Sequence, residues 1–274
     1  QTCALPILPG CHIGIALEAH GPNNSITHDE ASGGLVLGEA CNAIRRNRAD
    51  VMVAGVTGTR LHTVKACQSA CLDVLAEGPA EQRLRPFDRQ RSGEALAEAA
   101  CSLILESRAH AEARGAKILG TVLACGASSV AGHDGAADEA EAVYLAGRAA
   151  LERAGVASAD LGHVNACAAG NPARDRYEAL GLRKLLGSAA DSIPVTAIKS
   201  YIGSSGSGSS LVELAASLLS LRDGTIAPTL NYSSADEAAP LNVVHGSFAK
   251  AASGLFLKTS VTRMGQASAV VVRV

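Results

Sequence analysis

Apolar positions along the chain follow two alternating rhythms. Leu211, Leu214, Ala215, Leu218 and Leu219 recur at i, i+3, i+4, i+7 and i+8, which predicts a helix with one buried face. Val36, Ala40, Ala43 and Ile44 predict a second helix over about 32–46, and Leu96, Ala99, Ala100, Leu103 and Ile104 a third. Two more are expected over about 136–154 and 174–186. Short apolar runs between them predict strands at 13–17, 51–55, 118–124, 163–166, 194–197, 254–259 and 269–274. The runs at 51–55 and 269–274 are almost wholly apolar, as expected of strands covered on both faces. Alternation of strands and helices places the chain in the α/β class.

The segment 35–46 matches 211–222 in spacing, from a Leu-Val pair to an Arg, and each follows a Gly/Ser-containing turn. Such a repeat fits a duplicated fold, although Ala/Leu helices also look alike by chance.

Composition narrows the core and the function classes. Apolar residues make up 47% of the 274 residues but aromatic ones only 3%, so the core must be built from Ala, Val, Leu and Ile. The net charge of −2 comes from 24 basic and 26 acidic residues with no basic block, which argues against a nucleic-acid or anionic-membrane surface. No apolar run approaches the ~20 residues of a membrane-spanning helix. The eight cysteines, Cys3, Cys11, Cys41, Cys67, Cys71, Cys101, Cys125 and Cys167, sit largely in apolar patterns and are expected to be reduced and buried, in a cytoplasmic protein. Cys67 and Cys71 share a helix face with His62 upstream, but no second pair completes a zinc set; no metal and no cofactor is expected. Residues 1–9 lack an initiator Met and a charged n-region, and Gln1 to Ile7 is similar to translated sequencing adapter; this leader is expected to be non-native.

Five motifs carry a family resemblance in order. They are Gly21-Pro22-Asn23 with Thr27; Ala49-Asp50 leading into an apolar strand; and Arg85-Pro86-Phe87-Asp88 with Arg91, Gly93 and Glu98, closing at Leu105-Glu106. Val164-Asn165-Ala166 with Asp175 and Glu178, then Lys199-Ser200-Tyr201-Ile202-Gly203, complete the set. Together they resemble the β-ketoacyl synthases of fatty acid and polyketide assembly, from about residue 10 to the end. The resemblance implies a thiolase-like layered αβαβα fold, usually dimeric, with much of the first duplicated half missing. It divides the chain into the remainder of an N-terminal half at 10–130 and a C-terminal half at 131–274.

Decarboxylative condensation in that family needs a cysteine thiolate at a helix N-terminus and two histidines that stabilise the enolate oxygen. Set against the family motifs, Glu30 stands in the nucleophile's place, Cys167 in that of the first His and Ser204 in that of the second. Near the C-terminus Thr262-Arg263-Met264-Gly265 keeps only the final Gly of the usual Gly-Phe-Gly-Gly. Lys199 and Glu98 are retained, a pair that the resemblance gives a partly structural role. A Glu at a helix start suits the helix dipole but carries no thioester.

The resemblance therefore implies a non-condensing subunit like the chain-length factors, dimerised with an active synthase and served by an acyl carrier protein. In those factors the replacement is usually Gln. Two alternatives stand: an acyltransferase with altered residues drawn from Glu30, Cys167 or His28, or an acyl-binding or structural scaffold. Residues 203–210, rich in Ser and Gly, read as a turn and helix start, or as a phosphate site.

Overall fold

The structure, a computed structural model, describes residues 8–72, 74–132 and 135–274; Cys3 and most of the expected leader lie outside them. The chain runs through α1 (Leu8–Ala16), α2 (Ser32–Arg45), β1 (Val51–Thr59), α3 (Thr63–Leu72), β2 (Glu98–Glu106) and α4 (Arg108–Ala113). It continues through β3 (Thr121–Ser129), α5 (Glu139–Ala154), β4 (His163–Asn165), α6 (Pro172–Leu186), β5 (Val195–Thr196), α7 (Lys199–Ile202) and α8 (Ser209–Arg222). The last elements are β6 (Thr225–Ile226), β7 (Ala249–Lys250), β8 (Leu255–Val261) and β9 (Gln266–Arg273).

Five strands form a mixed sheet in the order β3-β9-β8-β4-β5, parallel at β8/β4 and β4/β5 and antiparallel elsewhere. One face of this sheet receives α5, which packs in turn on α6. The other meets α2 and α8, whose Leu37, Ala40, Leu211 and Leu214 pack with Phe256, Val270 and Val272. Beyond α2 and α8 lies a ribbon of β1 and β2, which contributes Ala54 and Val56 to the same core. The layers are helix, sheet, helix, ribbon. The two segments of the internal repeat make up most of α2 and α8, the paired helices of the middle layer, and each is followed by a strand of an antiparallel pair, β1 of β1–β2 or β6 of β6–β7.

A core poor in aromatic rings fills space by bringing backbones together. A Cβ on Gly126 of β3 would lie 2.1 Å from the carbonyl oxygen of Ala146 in α5, so the helix rides directly on the strand. The ends of α5 are set locally: the Asp138 carboxylate accepts from the Glu141 N–H, and Gly155 takes the left-handed conformation at φ 64°. The Arg85–Asp88 signature is architectural. Phe87, buried at φ 62°, donates its N–H to Asp175, while the Asp88 carboxylate accepts from the N–H groups of Ser233 and Ser234.

Three sequence expectations are corrected. The run 13–17 lies mostly in helix α1: Leu17 and Ala19 N–H groups bond back to Ile13 and Gly14, and no described strand lies alongside to form a ladder. The helix expected around Leu96–Ile104 is strand β2, because unbroken nine-residue pairing with β1, from Val51↔Glu106 to Thr59↔Glu98, overrides the helix preference of Ala, Leu and Glu. The strand at 51–55 is covered on one face only, leaving Val51 and Val53 exposed beside Ile104 of β2. The cysteines also depart from expectation: Cys167 is buried, Cys67 and Cys71 are exposed, and the other described ones lie between.

Gly126→Ala is expected to lower the urea midpoint by the equivalent of about 1–3 kcal/mol, since the added methyl group meets backbone that cannot rotate away. An unchanged midpoint would show that α5 can shift off β3.

Candidate active site

The turn Asp29–Ala31 runs straight into α2, and Ser32 at the first position of that helix accepts the His28 N–H at 2.9 Å. This places Glu30 in the interior at the helix start, 2% exposed. Two arginines meet it there. Arg60, just past β1, brings Nη2 to 2.7 Å from Glu30 Oε1 and 3.3 Å from Asp29, with Nη1 3.5 Å from Glu94. Arg174, in the first turn of α6, lies 3.8 Å from the same Glu30 oxygen and 3.3 Å from each of Glu94 and Glu139. Its Nη2 also donates to the Val261 carbonyl at 2.9 Å.

A second set adjoins the first. Lys199 Nζ pairs with Glu213 Oε1 at 2.8 Å and donates to the Cys167 carbonyl at 2.8 Å, with the Cys167 Sγ 3.2 Å away. Lys258 holds the other oxygen of Glu213 at 2.6 Å. Glu178 accepts the Cys167 N–H and the Thr259 hydroxyl, both at 2.8 Å. Ser204 is fully buried through its backbone bridge to Leu96, and its hydroxyl has no hydrogen-bond partner among the described residues.

Burial opposes ionisation of Glu30, yet Arg174 and Arg60 hold its pKa down at about 2. Burial and the Glu30 charge push its neighbour Asp29 up to about 7, so the pair loses one proton near pH 2 and the next near neutrality. Burial pushes the Cys167 thiol up to about 11 despite Lys199, leaving a neutral thiol rather than a thiolate at pH 7. Burial pulls Lys199 down, but Cys167, Glu213 and Glu30 more than reverse this and keep it an ammonium.

Of the residues singled out by sequence, Cys167 and Lys199 are in contact and Glu30 acts on Lys199 through its charge. Glu98 is corrected: it sits exposed at the end of β2, accepting from the Thr59 hydroxyl at 3.1 Å, and the carboxylate paired with Lys199 is Glu213. His28 is exposed and bonds through its backbone, its N–H donating to the Ser32 hydroxyl and its carbonyl accepting from the Ala31 N–H, so no His28–Glu30 pair forms at the helix start. Sequence reading missed Arg60, Arg174, Glu213 and Lys258. One of these carried a signal: Lys258 stands alone in a buried strand, whereas Glu213 lies on the side of α8 away from the apolar stripe of Leu211, Leu214, Ala215, Leu218 and Leu219 and is buried nonetheless.

Asp29→Asn tests the carboxyl pair. A folded-state pKa raised from 3.8 to about 7 means wild-type stability is lost as pH rises through that window. The variant, whose amide tolerates the φ of 43° at this position, should gain roughly 1 kcal/mol over wild type at pH 8, an amount reduced by the half-exposed side chain. The gain should vanish toward pH 4 in denaturant titrations; a gain independent of pH would contradict the raised pKa.

Comparison with known proteins agrees with this architecture. The profile of the "Beta-ketoacyl synthase, N-terminal domain" family matches residues 3–111, and that of the "Beta-ketoacyl synthase, C-terminal domain" family matches 118–233. The 3-oxoacyl-(acyl-carrier-protein) synthase 2 of Rhizobium meliloti is 34% identical over 80% of this chain and 53% of its own length. The oxytetracycline polyketide beta-ketoacyl synthase 1 of Streptomyces rimosus is 36% identical over 83% of this chain and 54% of its own. The chain thus spans about half the length of the curated relatives it matches. Among solved structures, a type II polyketide acyl-carrier protein in complex with its ketosynthase superposes with a TM-score of 0.91 at 25% identity, over 96% of this chain and 66% of that one. The ishigamide ketosynthase/chain length factor gives 0.85 at 27%, over 95% and 64%. The layered sheets and helices are a thiolase-like fold, and the chain belongs to the β-ketoacyl synthase family of fatty acid and polyketide biosynthesis.

Proposed function

We propose that this chain is a non-condensing subunit, similar to a chain-length factor, that pairs with an active β-ketoacyl synthase and works with an acyl carrier protein. The observation that carries the reading is Glu30: by motif it holds the nucleophile's position, and it lies there as a buried carboxylate against Arg60 and Arg174. A carboxylate so held forms no thioester and occupies the place where an acyl group would be loaded. Cys167 and Ser204, in the histidine positions by motif, supply a neutral thiol and a buried hydroxyl in place of two imidazoles aimed at an enolate oxygen. Lys199 and Glu213 keep the interior polar framework together without either reacting group. The likeness to the ishigamide ketosynthase/chain length factor supports the same reading. No described helix is long and apolar enough to cross a membrane, which fits a cytoplasmic subunit.

The altered-acyltransferase alternative would require Cys167 to ionise, which its burial opposes. The test is intact-mass spectrometry after incubation with an acyl thioester carried on phosphopantetheine, run beside co-expression with an active synthase. The reading predicts no acyl adduct on this chain, co-purification with the synthase, and condensation that requires the synthase's own cysteine. An acyl adduct on Cys167, or condensation by this chain alone, would overturn it.

A further inference from the structure

We infer that Arg60 and Arg174 form a carboxylate receptor that the chain fills with its own Glu30, so that vacating Glu30 opens a binding site for a small aliphatic carboxylate. The two guanidinium groups come from separate elements and converge on one oxygen, Glu30 Oε1, at 2.7 and 3.8 Å. Guanidinium forks suit a carboxylate that offers both oxygens. Glu30, tethered at the start of α2, offers one to both; its Oε2 is buried and accepts from neither arginine, and the other side-chain neighbour that hydrogen-bonds to Glu30 is the Asp29 carboxyl. The tether therefore places the charge but matches the arginine forks through a single oxygen, where a free ligand could offer two. The Arg60 and Arg174 side chains keep 11% and 19% exposure, against 3% for Glu30, so the arginines lie nearer the solvent than the carboxylate they hold. Three carboxylates compete for a vacated site: Asp29 at the outer edge, 3.3 Å from Arg60, Glu94, 3.5 Å from Arg60 and 3.3 Å from Arg174, and Glu139, 3.3 Å from Arg174. The inference rests on this ion network and holds whether or not the chain partners a synthase.

The experiment is thermal melting of the whole chain with Glu30→Ala, in sodium acetate, sodium chloride or acetamide, at matched ionic strength for the salts. Acetate should raise the melting temperature of Glu30→Ala by several degrees in a saturable manner, half-maximal on the order of 10 mM. Chloride, acetamide and wild type should show no such response. The rise should be larger in Asp29→Asn/Glu30→Ala, where one competing carboxylate is gone, and absent in Glu30→Ala/Arg60→Met. Equal melting in acetate and chloride would overturn the inference. Should Glu30→Ala aggregate in chloride, soluble yield becomes the readout: recovery in acetate but not acetamide supports the receptor, and equal yields refute it.

Discussion

Taking a carboxylate out of water costs several kcal/mol even after the surroundings relax, and the cost is met only by counter-charges of good geometry. Glu30 imposes that constraint at the centre of this chain. Its counter-ions arrive from the end of β1 and the first turn of α6, so one carboxylate ties the middle helical layer to the ribbon on one side and to the outer helices on the other. Glu94, shared by both arginines, draws in the segment before β2 as well. The network adds little certain net stability, because replacing such a cluster by apolar groups is often neutral. What it fixes is relative position: the loops that carry Asp29, Arg60 and Glu94 have one arrangement in which every guanidinium is paired.

The same constraint separates scaffold from reaction. Glu213 between Lys199 and Lys258 repeats the arrangement with the charges exchanged, one carboxylate between two ammonium groups, and Cys167 lies beside Lys199. A thiol in that place is held neutral by burial, in contact with the lysine. The buried charges of this chain therefore satisfy one another.

Much of this was legible in the sequence, for reasons that differ by element. The helices α2, α5, α6 and α8 were readable because each presents a regular apolar face and, in α5, capping residues at both ends. The buried strand β9 was readable because both of its faces are covered. β2 was not, since Glu-Ala-Ala-Cys-Ser-Leu-Ile-Leu-Glu has the local preferences of a helix and becomes a strand only through β1. In the candidate site, Glu30, Cys167, Ser204 and Lys199 were found by motif, which fixes position along the chain. The arginines that give Glu30 its environment lie 30 and 144 residues away, and nothing local to Arg60 or Arg174 marks them as partners. Glu98 stands in the motif and Glu213 does not; a matching motif names a residue type, while the contact to Lys199 depends on how α8 lies over the sheet.

The central claim is that Glu30 is held as an anion by direct coupling to the arginines, and a double-mutant cycle on Glu30→Gln and Arg60→Met measures that coupling. Unfolding free energies in urea for wild type, both single variants and the double variant should give an interaction of at least about 1 kcal/mol, with the double variant less destabilised than the sum of the singles. Additivity within about 0.3 kcal/mol would contradict the account, since it would mean that Glu30 and Arg60 lie close without depending on each other.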